Sequence, residues 1–276
     1  MDESDALPAT FAGRHAVVTG GGTGLGLAIS RGLAARGAAV TILSRDPAHH
    51  AAFLAEGRER GWTATAVAAD VRDAGAVERA AREVLARSGR ADILVNNAAG
   101  NFVCPTARLS ANAWRAVLGI VLDGTFYCSR EFGRAMIEAG GGSILNVVAT
   151  YAWTGMPGVA HSASAKAGVL ALTRTLAAEW APHGVRVNAI APGPFHSAGA
   201  RSNLWPDEAT AEAVRQAVPL GRFGTTEEVA AQCLHILSPA SDWMTGECLV
   251  LDGGMSLPRP LWDLARRPRP RRGDEP

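Results

Sequence analysis

Thr19-Gly20-Gly21-Gly22-Thr23-Gly24-Leu25-Gly26 is the stretch on which the reading of this chain turns. It follows His15-Ala16-Val17-Val18, a short apolar run of strand type, and leads into residues 25–36, whose apolar spacing is helical. A strand that ends in glycines and opens a helix gathers backbone N–H groups at the positive end of that helix. Such a place binds pyrophosphate. Gly20 can supply an unusual backbone angle for the turn, and Gly24 and Gly26 lack Cβ atoms, so phosphate and the neighbouring strand can come close. A glycine cluster alone also describes an ordinary tight turn; the strand before it and the helix after it favour a nucleotide loop. Gly20, Gly22, Thr23, Gly24, Leu25 and Gly26 are therefore candidate cofactor-binding positions.

Outward from this loop the same alternation repeats. Further strands are expected at 39–44, 63–69, 93–95, 143–148, 185–191 and 247–251. Helices are expected at 47–60, 74–87, 162–180 and 226–237, the last capped by Thr225 or Thr226. A long helical region over 110–139 has a break near Gly119 or Gly124. Residues 149–161 read as a loop and 195–221 as a mixed, mobile segment that covers the substrate. Strands alternating with helices at this spacing predict an α/β fold: a doubly wound, Rossmann-like, mostly seven-stranded parallel sheet in one domain over 13–257. Its loops at the strand C-termini lie along one edge, where ligands bind. Residues 1–12 read as a flexible leader and 258–276 as a Pro/Arg-rich tail. The tail suits either a polyanion or plain solvation, and solvation is preferred.

A chain of 276 residues with 47% hydrophobic and 19% charged residues is ordinary for a soluble globular protein. The net charge of +1, from 27 Lys+Arg against 26 Asp+Glu, argues for neither nucleic acid nor a membrane surface as partner. The acidic N-terminus lacks the apolar core of a signal peptide. Cys104, Cys128, Cys233 and Cys248 are scattered, which fits free thiols in a cytoplasmic setting and offers no metal site.

The motifs, taken in order, resemble the short-chain dehydrogenase/reductases. The resemblance covers about residues 13–255 and rests on Thr19 to Gly26, Asp70-Val71, Asn96-Asn97-Ala98-Ala99-Gly100, Lys166, Val187 to Gly193 and Asp252-Gly253-Gly254. It implies that Asp70 and Val71 hold an adenine, that Asn97, Ala98 and Gly100 line the cofactor, and that Pro192, Gly193, Pro194 and Phe195 face a nicotinamide. Ser44-Arg45 looks like the NADP-preferring version, because a guanidinium there can pair with a 2′-phosphate. Arg45 is also compatible with a plain surface arginine.

Most members carry a Ser, a Tyr thirteen residues later and a Lys four further on. Counting back from Lys166, the Tyr position holds Ser162 and the Ser position Ala149; the Asn expected before Gly124 is Val121. A carbonyl reductase without its phenol has no obvious proton donor. In its place the chain has Tyr151, fifteen residues before Lys166, and Asn101, directly after Gly100. With Phe102, Ser162 to Lys166 and Ser110 to Trp114, these residues are similar to the 2,4-dienoyl-CoA reductases, with the tyrosine placed as in the mitochondrial type.

That resemblance implies NADPH as cofactor, an acyl-CoA thioester as substrate, a 3-enoyl-CoA as product and a homotetramer as assembly. Hydride addition to a conjugated thioester puts negative charge on the thioester oxygen, which needs neutral donors placed in advance. Tyr151 and Asn101 suit that task, although each alone also suits a packing or turn-capping role. Lys166 can hold the nicotinamide ribose, and Ser162 can orient Lys166 or bridge through water. The carbon-bound proton comes from solvent or an unidentified acid; His161 is either that acid or a polar rim residue. Candidate substrate contacts are Arg45, Arg72, Phe102, Ser110 and Arg201. Two competing readings are a reductase of another enoyl-CoA or carbonyl compound and a catalytically silent NADP-binding protein.

Overall fold

Seven strands carry the fold: β1 (His15–Thr19), β2 (Ala39–Ser44), β3 (Ala64–Ala68), β4 (Ile93–Asn96), β5 (Gly142–Val147), β6 (Val185–Pro192) and β7 (Cys248–Leu251). The computed structural model describes residues 10–196, 204–205 and 207–258. Arg201 and the arginines of the tail lie outside these residues. The strands form one sheet in the order β3-β2-β1-β4-β5-β6-β7, and every pair is parallel. The helices are α1 (Gly24–Ala34), α2 (Ala51–Arg60), α3 (Ala74–Ser88), α4 (Ala111–Leu118), α5 (Gly124–Glu138), α6 (Tyr151–Thr154), α7 (Ala160–Trp180), α8 (Glu208–Ala217) and α9 (Thr226–Leu237).

The continuous apolar run of β1 follows from burial on both faces. Val18 packs with Ile29 and Leu33 of α1 and Leu234 and Leu237 of α9. Its neighbour Val17 faces the opposite layer, with Val77 and Val84 of α3, Phe132 and Met136 of α5 and Leu176 of α7. Each such side chain, fully buried, contributes about 1.5–3 kcal/mol. Strand order reverses direction between β1 and β4, and the crevice at their C-terminal ends is where this architecture binds ligands.

Several local expectations change. Phe11, assigned to the leader, is buried in the core, and its N–H donates to the Arg36 carbonyl at 3.0 Å. The region over 47–60 opens with a 3₁₀ turn, Pro47–His49, before α2. The region over 110–139 is interrupted at Gly119 and resumes at Gly124, as expected, but through a π turn, Gly119–Asp123, between α4 and α5. Residues 149–161 are not all loop, because Tyr151–Thr154 closes one helical turn. Within 195–221, Glu208–Ala217 is helical, with the Asp207 side chain accepting from the Thr210 N–H. Thr225, not Thr226, caps α9: its hydroxyl accepts from the Glu228 N–H while the Glu228 carboxylate accepts from the Thr225 N–H.

Candidate active site

One cleft of about 890 Å³ runs along the C-terminal edge of the sheet. Its nucleotide end lies over β1, β2 and β3 and is lined by Gly20, Thr23, Gly24, Leu25, Ser44, Arg45, Asp70, Val71 and Ala98. The Thr19 hydroxyl accepts from the N–H groups of Asn97 and Ala98, both at 2.9 Å, and the Asn97 amide donates to the Thr19 carbonyl at 3.0 Å. These bonds stitch the end of β4 to the glycine loop. Thr23 stands at the N-cap of α1 in extended geometry, and its side chain makes no capping bond. The first residues of α1, Gly24 and Leu25, line the cleft.

The glycines divide into two roles. Gly20 (φ 63°) and Gly24 (φ 49°) take left-handed angles, so Gly24 is there for its conformation. Gly22 and Gly26 do not line the cleft. A Cβ on Gly22 would meet the His49 carbonyl oxygen at 1.9 Å, and one on Gly26 the Gly20 carbonyl oxygen at 2.2 Å. They shape the loop from behind. Gly100 is likewise absent from the cleft wall. Asp46 and His49, missed from the sequence, line this end beside Arg45. The Asp46 carboxylate is turned back to accept from the Ala48 N–H at 2.9 Å.

The other end of the cleft lies over β4, β5 and β6. Here Tyr151 of α6 meets Ser162 of α7 and Asn101 of the segment after β4. The Tyr151 hydroxyl lies 3.1 Å from Ser162 Oγ, and Asn101 Nδ2 donates to it at 3.4 Å. The Phe102 N–H donates to Asn101 Oδ1 at 2.9 Å, which fixes the amide with its nitrogen toward the phenol. Burial raises the Tyr151 pKa, against the hydrogen bonds from Ser162 and Asn101. The phenol is thus protonated near pH 7 and is a donor. Lys166, one turn after Ser162, donates from Nζ to the Val147 carbonyl at the end of β5, and burial lowers its pKa to about 8. Pro192, Gly193, Pro194 and Phe195 complete this wall.

Not every candidate converges. Ser162 is buried and does not line the cleft, and its hydroxyl meets the Tyr151 phenol, in place of the expected contact with Lys166 or bridge through water. Arg72 grips Asp70 with two guanidinium nitrogens, Nε at 3.0 Å from Oδ1 and Nη2 at 2.6 Å from Oδ2, and stays out of the cleft. That grip lowers the Asp70 pKa. Ser110 caps α4 through the Ala113 N–H at 3.2 Å, and the Phe102 ring packs on His161 at 4.3 Å. His161 is neither rim residue nor cleft acid: it is fully buried, neither ring nitrogen has a partner among the described residues, and burial lowers its pKa. Ala149 and Val121 fill the places of the usual Ser and Asn. Ile120, on the π turn, lines the cleft, and the Thr125 hydroxyl takes up the Val121 carbonyl at 2.7 Å.

Residues 20–256 match the family model described as enoyl-(acyl carrier protein) reductase. The chain belongs to the short-chain dehydrogenase/reductase family. As a short-chain dehydrogenase/reductase it is an oxidoreductase. It is 44% identical over 246 residues to a Bacillus subtilis protein named "probable 2,4-dienoyl-CoA reductase [(2E)-enoyl-CoA-producing]", covering 87% of this chain and 96% of that protein. The peroxisomal 2,4-dienoyl-CoA reductase [(3E)-enoyl-CoA-producing] of Danio rerio is 39% identical over 255 residues, covering 91% and 84%. Among solved structures, a gluconate 5-dehydrogenase from Burkholderia cenocepacia in complex with NADP and tartrate superposes with a TM-score of 0.84 at 35% identity, covering 88% of this chain and 95% of that one. No helix among the described residues is long and apolar enough to cross a membrane.

Proposed function

We propose that this short-chain dehydrogenase/reductase reduces 2,4-dienoyl-CoA thioesters with NADPH, giving a 3-enoyl-CoA during oxidation of unsaturated acyl chains. The observation that carries this reading is the chemistry of the catalytic end. Two neutral donors, Tyr151 and Asn101, share one hydrogen-bond network. Around them the described lining is apolar or uncharged except for Lys166. Val103, Ile120, Met156 and Phe195 in the same wall suit an acyl chain better than a row of hydroxyls such as that of gluconate.

The cleft suits a nicotinamide dinucleotide on its own features. An uncapped helix N-terminus, glycines that take left-handed angles and the exposed Arg45 would hold the phosphates. Asp70 and Val71 would flank the adenine and Pro192 to Phe195 the nicotinamide. When bound, the dinucleotide supplies hydride to the conjugated system.

Tyr151 and Asn101 then donate to the thioester oxygen as it gains charge. Ser162 keeps the phenol in place, and the Lys166 cation favours negative charge beside it. The described lining of this end holds no carboxylate and no imidazole. A proton delivered to the carbon next to the thioester, from solvent or from an acid not yet assigned, would yield the 3-enoyl product. The relatives' names divide on this point, one giving the 2-enoyl and one the 3-enoyl product.

NADPH oxidation measured against dienoyl-CoA, enoyl-CoA and ketone panels, with NADP+ reduction measured against a polyol panel and chromatographic identification of the product, tests the proposal. Turnover confined to ketones or polyols would refute it.

A further inference from the structure

The cleft does not stop where its catalytic residues stop. Beyond Tyr151 its wall continues through Val103 and Met156, which are 57% and 45% exposed. Trp153, on the same helical turn as Tyr151, is 45% exposed. Large apolar side chains left in water at the mouth of a cleft mark a binding surface.

This surface is built, not frayed. The Cys104 N–H donates to the Gly158 carbonyl at 2.8 Å, pinning the segment that carries Val103 to the turn that carries Met156. Gly158 takes φ 82°, and a Cβ there would stand 3.0 Å from Val103 Cγ1. A larger residue at 158 would therefore be strained and would also press on Val103.

We infer that Val103 and Met156 form an apolar lip that takes the distal carbons of the substrate's acyl chain, so that the enzyme selects long-chain over short-chain dienoyl-CoA. The inference rests on the proposed function. Tyr151 and Asn101 set the thioester oxygen, and hence the start of the chain, inside the cleft. The extending chain then runs along the wall whose side chains are apolar. The pantetheine arm carries amides and a hydroxyl, for which the side chains of Val103 and Met156 offer no partner. Each methylene that leaves water for such a surface raises kcat/KM by roughly two- to fourfold.

The readout is the ratio of kcat/KM for 2,4-tetradecadienoyl-CoA to that for 2,4-hexadienoyl-CoA. It is expected to exceed about ten in the native enzyme and to fall by about tenfold in the double variant Val103→Ser, Met156→Ser. The pair Val103→Thr, Met156→Gln keeps shape while adding polarity and should move the ratio the same way. Binding of myristoyl-CoA against hexanoyl-CoA to the NADP-loaded enzyme, by calorimetry, gives the same ratio without turnover. A native ratio near one, or equal losses on both lengths, overturns the lip while leaving the reductase intact. A change in assembly mass with an unchanged ratio also overturns it, making the patch a contact between copies. Absence of turnover at every chain length removes the proposed function, and the lip with it.

Discussion

At the nucleotide end, the glycine loop, Thr19 and Asn97 are held by backbone geometry and by bonds to neighbouring strand ends. At the catalytic end, Asn101, Tyr151 and Ser162 come from three separate elements and meet through side chains alone. The first region rests on backbone groups and on the short Thr19 and Asn97 side chains, which bridge strand ends 78 residues apart in the chain. The second depends on how α6 docks on α7 and on where the segment after β4 is tied. A substitution at one end should thus leave the other end working, and each prediction below probes that independence.

The largest effect is expected from Tyr151→Phe, which keeps the ring and removes one donor. Turnover of a dienoyl-CoA should fall about 10²-fold or more, while NADPH affinity, followed by fluorescence titration, holds. If affinity fell in parallel, the two ends would be one unit. Arg45→Ala is the mirror experiment. Loss of a charged pair to a 2′-phosphate costs about 1.5–3 kcal/mol, so NADPH should bind roughly 10- to 100-fold more weakly. NADH binding should be little changed; equal losses would return Arg45 to the role of a surface arginine.

Lys166 lines the same cleft, and pH reads it. Burial holds its pKa to about 8, so the cation is present below that pH and lost above it. On the alkaline side kcat/KM should fall about tenfold per pH unit, and Lys166→Arg, charged throughout, should remove that limb. The same depression has a stability sign. Between about 8 and the unfolded value near 10.4 the unfolded chain binds more protons, so this group's contribution to stability rises with pH across that window. The smallest effect is expected from Ser162→Ala, which removes one hydrogen bond to Tyr151. A loss of about fivefold in kcat with KM unchanged fits one neutral hydrogen bond, and Ser162→Thr should recover part of it. No loss would show that Asn101 alone holds the phenol.

Residues close in sequence carried most of the fold and the glycine loop, but not Asp46 and His49, which also line the nucleotide end. Strand and helix periodicity, the glycine loop, and the motifs at the ends of β2, β3, β4 and β6 are short-range patterns, so the α/β sheet and its ligand edge were legible before any coordinates. The displaced Tyr151 and the adjacent Asn101 were also legible, as residue types at a spacing. Their partners were not. Ser162 pairs with Tyr151 and not with Lys166 because α6 and α7 meet side by side, an arrangement that no count of residues contains. Arg72 is consumed by Asp70, His161 is buried against Phe102, and Val103 and Met156 share one lip for the same reason. Distances between side chains on different elements are set by packing of the whole core, and that packing exists only once the sheet and its two helical layers have closed on each other.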